Sequence, residues 1–329
     1  MIKKIYLHLI NILIINIIKI LFFFKNKIRR IRKIEFEYFS GKYKLYSNKY
    51  FFILFGKDKY ISRETYINGP HDYDLLKKSK ILLSKKIKYL IDIGANIGTF
   101  CIPPIKDGII NKCIAIEPVH KINKILNTNI ILNEIEKKID TYNYVISDNT
   151  KENLSLSFDK NNYGDNKFKT NRSKKKKKHI FKIVKLNHFI NHFDLKKLLI
   201  KIDVQGFEDR VLISGDKFLV KKVPLIIEFD YDFLKKKNSK KIIKLIKKNY
   251  DYISLLDSRK PEKEKMPEWI SKLITGGQCK TLYVENIDLD LQPTDSEMIR
   301  KLCKLYSVSL VNVRVDSFND EKNVALGPW

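Results

Sequence analysis

The amino-acid sequence predicts an α/β protein with a mostly parallel central sheet and helices on both faces. Three observations predict it. From residue 87 onward, short apolar runs alternate with helix-length amphipathic stretches, the pattern left by crossovers between parallel strands. A glycine-punctuated turn closes the first of those runs. Hydrophobic residues make up 44% of the 329, enough for a sizeable core, which excludes a disordered chain.

The elements follow in order. Residues 5–24 are an apolar stretch interrupted by His8, Asn11, Asn16 and Lys19. As a helix it would be about 30 Å long, near the thickness of a bilayer core. No small-residue cleavage site follows it, which argues against a removable signal peptide. Lys4 and the four interrupting residues fall within an arc of roughly 140°, so the helix could lie in a membrane interface. It could instead span as a signal anchor, with Lys19 snorkelling. Six cations then follow (Lys25, Lys27, Arg29, Arg30, Arg32, Lys33), which would hold the main body on the cytoplasmic side. Burial in the protein's own core is the third reading.

Residues 35–85 read as a small lead-in layer: two or three antiparallel strands from the aromatic-rich runs 35–39, 43–46 and 50–55, a turn at Gly69-Pro70 and a helix over about 74–85. The main sheet then takes strands 88–93, 112–116, 141–146, 198–202, 223–229, 252–256 and 280–285. Helices are expected over 120–133, 206–214 and 238–249, and Pro103-Pro104 shortens the helix after the glycine turn. A polar run with five consecutive lysines at 174–178 reads as a solvated loop. Near the C-terminus, Thr294-x-x-Glu297 fits a capping box and Val308, Leu310, Val313 and Val315 suggest one more strand. The implied organisation is 1–34 helix, 35–85 lead-in, 86–290 main domain and 291–329 tail.

The formal net charge is +28, and all of the excess lies in residues 1–258. A polyanion partner would use such charge, but only nine of the 65 basic residues are Arg, whose planar fork suits phosphate and base recognition. Abundant Lys, Ile and Asn together fit an A/T-rich coding composition, so nucleic acid is disfavoured and an anionic membrane surface stays open. The four cysteines stand far apart with no CxxC, which excludes a disulfide scaffold or zinc ribbon and suits a reducing compartment. No His, Cys and Asp grouping has metal-ligand spacing, so no metal is expected.

The chemistry concentrates in Asp92-Ile93-Gly94-Ala95-Asn96-Ile97-Gly98. A strand ends, and a tight turn opens a helix where open parallel sheets bind ligands. Gly94 admits close backbone approach and Gly98 close helix packing. The spacing lacks the G-x-G of a dinucleotide fingerprint, and an acid precedes the first glycine. That acid suits the α-amino group of S-adenosyl-L-methionine (SAM) better than a pyrophosphate, which favours SAM over NAD. Glu117 ends the second strand, where a carboxylate can accept from ribose hydroxyls, and Asp148 follows the third, where one can accept from an adenine amino group.

Two later motifs, Asp203-Val204-Gln205-Gly206-Phe207-Glu208 and Pro224-Leu225-Ile226-Ile227-Glu228, complete a set. With the glycine turn, Ala115-Ile116-Glu117-Pro118 and Ser147-Asp148, they resemble the FkbM family of SAM-dependent methyltransferases over roughly residues 60–285. The resemblance implies a Rossmann-like class I methyltransferase fold, SAM as cofactor, and O-methylation of a hydroxyl on a sugar, glycolipid or related small metabolite. Cofactor binding would fall to Asp92, Gly94, Asn96, Gly98, Glu117 and Asp148. Asp203 would be the catalytic base, with Glu208 one helical turn on and Glu228 orienting either. His71 and His120 are lesser candidate bases. The family usually has Glu where Gln205 stands and Asp where Asn187 stands. Gln takes no proton, so a catalytically impaired, membrane-tethered binding protein is one alternative, and an RNA methyltransferase is another.

Overall fold

The structure, a computed structural model, describes residues 2–38, 41–70, 72–82, 87–157, 162, 163, 166–170, 181–229, 231–256, 264–265, 280–285, 310–313 and 324–326. The chain begins with a 37-residue helix α1 (Ile2–Tyr38) and a hairpin of β1 (Tyr43–Ser47) and β2 (Phe51–Phe55). Helices α2 (Ile61–Asn68) and α3 (Tyr73–Leu82) follow. Then come β3 (Tyr89–Ile93), α4 (Ile102–Lys106), β4 (Lys112–Ile116), α5 (His120–Leu132) and β5 (Ile139–Tyr142). Short strands β6 (Tyr144–Ile146), β7 (Leu154–Ser157), β8 (Lys167–Thr170) and β9 (Lys182–Val184) lead to β10 (Leu198–Ile202), α6 (Glu208–Ser214) and α7 (Asp216–Val220). The remainder is β11 (Leu225–Phe229), α8 (Tyr231–Asn249), β12 (Tyr252–Leu255), β13 (Glu264–Lys265), β14 (Lys280–Glu285), β15 (Leu310–Val313) and β16 (Val324–Leu326).

The central sheet runs β13-β12-β14-β11-β10-β3-β4-β5. The five strands β5 to β11 are parallel, and β14 enters antiparallel between β11 and β12. Apart from Asp92 and Lys201, the inner parallel strands β3, β4, β10 and β11 are mostly apolar, and their alternating side chains feed two cores. Leu90, Cys113, Ala115, Leu199 and Ile226 face the layer holding β2, α4 and α5, while Ile91, Ile114, Ile200 and Ile227 face the layer holding α6 to α8. Chain order reverses between β3 and β10, so the crossovers on either side diverge and leave a crevice at the carboxyl ends of those two strands.

Several expected elements differ. Residues 35–38 continue α1 instead of forming a strand, because Phe36 is buried against Tyr66 of α2, with ring centroids 5.6 Å apart. Helix α2 had no sequence expectation. The single strand expected over 141–146 divides at Asn143, whose amide donates to the carbonyls of Glu117 and Pro118 at 2.8 Å; β6 then leaves the main sheet to pair with β9. Helix α4 is short, with Pro103 and Pro104 in its first turn where a missing N–H costs nothing. Among the described residues no helix is long and apolar enough to cross a membrane, so the spanning, signal-anchor form of the N-terminal helix is not supported. The lysine run, His71 and the capping box at Thr294 lie outside the described residues.

Candidate cofactor and acceptor cavity

The crevice at the β3/β10 switch holds a cavity of about 580 Å³, in the range of nucleoside-sized ligands. Its floor is the Gly94 turn. Gly94 has φ +81°, and a Cβ there would stand 1.8 Å from the Asp203 carbonyl oxygen, so only glycine lets the two strand ends meet. The Asp203 N–H donates to the Ile93 carbonyl at 3.0 Å and ties the same junction. Asn96 takes the left-handed conformation (φ +49°) and its side-chain amide donates to the Tyr163 carbonyl at 3.2 Å. Gly98 sits deeper, where a side chain would strike Ile102 and Leu126.

Glu117 lines the wall. Its Oε1 accepts from the Val119 N–H at 2.8 Å and its Oε2 from the Asn96 N–H at 3.1 Å, which uses two of about four lone-pair sites. Burial pushes its carboxyl up to about 7 against those two bonds. Beside it Val119, Val145, Ile146 and Phe168 give an apolar slot, and the Oδ1 of Asn166 on that lining is buried without a hydrogen-bond partner. A free carboxylate face, a flat apolar slot and an unsatisfied acceptor suit a ribose, an adenine ring and its amino group. The residues therefore fit the adenosyl part of SAM.

The opposite end of the cavity is built from charge. Lys201 is on β10 and Asp203 follows directly after the strand's last residue, and the two side chains meet at one place. The Lys201 Nζ lies 3.3 Å from Asp92 Oδ1, 3.2 Å from Asp203 Oδ2 and 3.1 Å from the Gly94 carbonyl. Burial disfavours the ammonium, but the Asp203 and Asp92 carboxylates outweigh it and hold Lys201 charged. Burial also disfavours ionised Asp203. Lys201, with hydrogen bonds from Glu228 and Gln205, overcomes this and holds the carboxyl below the usual range. Gln205 Nε2 donates to Asp203 Oδ1 at 2.8 Å and to Glu228 Oε2 at 2.5 Å, bridging two carboxylates from a left-handed backbone (φ +52°).

Of the expected residues, Gly94, Asn96, Glu117, Asp203, Gln205 and Glu228 share this cavity. Asp92, Gly98, Asp148 and Glu208 are not among the described residues that line it. Asp92 is fully buried behind Lys201, and desolvation raises its carboxyl above the usual range. Asp148 stands just past β6, where its Oδ1 accepts from Ser147 Oγ at 3.3 Å. Glu208 turns inward: its Oε1 accepts from the Val204 and Gly206 N–H groups, both at 3.2 Å, and so braces the turn that carries Gln205. Burial pushes its carboxyl up to about 7 as well. Asn187 joins Asp216 at 2.5 Å, and neither it nor His120 is among the lining residues.

Sequence reasoning gave no role to Lys201, although a lysine inside Leu-Leu-Ile-Lys-Ile, a strand buried along its length, is a visible signal. Tyr60, Glu64, Asp72 and Tyr163 also line the cavity and come from segments with no local motif.

The Methyltransferase FkbM domain model matches residues 92–254. None of the curated proteins matches the chain. Among solved structures, the chain is similar to M. jannaschii TYW2 in complex with AdoMet, at 12% identity and a TM-score of 0.40, covering 76% of this chain and 89% of that one. M. jannaschii tRNA m1G37 methyltransferase is 14% identical, with a TM-score of 0.36, covering 75% and 55%. StiE O-MT is 11% identical, with a TM-score of 0.35, covering 74% and 81%. These are loose likenesses of fold.

Proposed function

Residues 92–254 are an FkbM methyltransferase domain with SAM as its cofactor, and from that premise we propose methylation of a hydroxyl oxygen on a sugar, glycolipid or related small metabolite. The carrying observation is the one cavity that joins the Gly94 turn and Glu117 to the Asp203–Gln205–Glu228 cluster. Bound SAM would supply an electrophilic methyl on a sulfonium that leaves as a neutral thioether. Glu117 and the Asn166 Oδ1 would hold the nucleoside, and the Gly94 turn would leave room for it.

Asp203 would take the acceptor proton. A carboxylate held below the usual range is a weak base, yet it is ionised throughout the neutral range. It suffices here because the acceptor oxygen becomes strongly acidic as its bond to the methyl carbon forms. Gln205 would keep Asp203 and Glu228 oriented as a donor, a role Gln fills and Glu would fill only when protonated. This supports an active enzyme over an impaired one. The lining acids Glu64, Asp72, Asp203 and Glu228 suit hydroxyls, which donate to carboxylates, and repel phosphates, which weighs against RNA despite the net charge.

Isothermal titration with SAM tests the cofactor half, and mass spectrometry of candidate acceptors after incubation with SAM tests the transfer. Asp203→Asn is expected to retain SAM binding and lose roughly a hundredfold in methyl transfer. Equal transfer by that variant would remove Asp203 as the base.

A further inference from the structure

A second concavity, about 730 Å³, lies between α1 and α2, beside the first. Glu64 lines both, so α2 is the shared wall. Lys27, Arg29, Arg30 and Lys33 of α1 and Arg63 of α2 line the groove, against one acid, Glu64. Arg63 is spoken for only at long range, 3.7 Å from Glu37 and 3.9 Å from Glu64, and its Nε is buried without a hydrogen-bond partner. No ion pair of Lys27, Arg29, Arg30 or Lys33 occurs among the described residues. The groove is therefore a concentration of unneutralised positive charge.

The same helix carries an unpartnered apolar stripe. Ile17, Ile20, Leu21, Phe24, Ile28 and Ile31 recur at helical spacing, and each is between 47% and 63% exposed. The far end of the helix is anchored: Phe36 is buried, and Arg32 donates to the Ile67 carbonyl at 3.3 Å. Around the helix, Lys25 and Lys27 stand at the two flanks of the stripe, within about 100° of its centre, and Arg29, Arg30 and Lys33 lie on the opposite face. An apolar stripe flanked by cations is the pattern of a helix lying in a lipid interface. Charge complementarity then selects anionic lipid, whose phosphates would sit at the level of that flank.

We propose that α1 lies in the plane of an anionic bilayer, its apolar stripe at the acyl boundary, Lys25 and Lys27 at the level of the headgroup phosphates, and the cations of the α1–α2 groove on the headgroup side of the helix. RNA would neutralise the groove equally well but would leave six large apolar side chains in water, so lipid is the occupant that accounts for both features. The proposal stands apart from methyl transfer, because no α1 residue lines the first cavity.

Flotation of the full chain with vesicles tests it, using phosphatidylcholine alone and phosphatidylcholine mixed with phosphatidylglycerol. Wild type is expected to bind the mixed vesicles about tenfold more tightly, with the preference falling as salt rises. Lys27→Glu with Arg30→Glu should erase the preference, and Phe24→Asp with Ile28→Asp should abolish binding to both. These side chains are exposed, so unchanged circular dichroism and SAM titration certify the fold and report separately on the cofactor site. No binding to mixed vesicles, an undiminished preference in the charge-reversed variant, or retention of a structured RNA in place of vesicles would each overturn the proposal.

Discussion

The two ends of the main cavity are made of different material. The Gly94 end is backbone: a positive-φ glycine and N–H groups of Asn96 and Val119 fixed by strand ends, with Glu117 held between them. The Asp203 end is side chain: one ammonium, three carboxylates and one amide, each oriented by the others. A backbone-built end is as rigid as the sheet that carries it, whereas a buried charge network stands only while every member is present. The first suits an invariant nucleoside, and the second suits moving a proton.

Substitutions at each end should sharpen that difference. Lys201→Met leaves Asp92 and Asp203 without their cation and is expected to cost about 3–5 kcal/mol in urea unfolding. A cost below about 1 kcal/mol would mean the network is not what holds this end together. At the other end, Glu117→Gln should weaken SAM about tenfold and remove the part of the pH-dependent stability loss that Glu117 causes. Because the Glu117 carboxyl is raised to about 7, wild-type affinity should climb from pH 6 to 8 and the variant's should not, as isothermal titration across that range will read.

Stability should run the other way. Glu117 and Glu208, both raised to about 7, hold protons in the folded chain that the unfolded chain gives up near their ordinary value of 4.5. The unfolding midpoint should therefore fall as pH rises between those values and level off above. Gln205→Glu adds a further carboxylate between Asp203 and Glu228. Stability near that of wild type at pH 5 and a loss of roughly 1–2 kcal/mol at pH 8 are expected, and a pH-independent loss would point to packing instead. The smallest effect belongs to Asp148→Ala, outside the cavity lining, at no more than about threefold on SAM affinity.

The contrast also explains what the sequence revealed. The Gly94 turn and Glu117 sit in one strand-turn-helix unit and its neighbour, so local spacing announces them. The parallel strands were legible for the same reason, each being a short apolar run between turns. The cavity also draws Glu64 and Tyr60 from the region of α2, Asp72 from before α3 and Tyr163 from the segment between β7 and β8. Only the fold brings these together, and none stands in a motif of its own. Asp92 and Glu208 show the converse: both occupy motif positions, yet one is sealed behind Lys201 and the other braces a turn. A motif marks that a carboxylate belongs near a strand end, not which way it faces. Helix α1 continued through Phe36 because of a partner on α2, a contact that aromatic alternation along the chain does not encode.

The most direct measurement is a crystal structure with S-adenosylhomocysteine bound. It should show the ribose hydroxyls on Glu117, the base in the slot beside Asn166, and the sulfur directed toward Asp203. A nucleoside bound elsewhere, or one whose sulfur points away from the Asp203–Gln205–Glu228 cluster, would contradict the account.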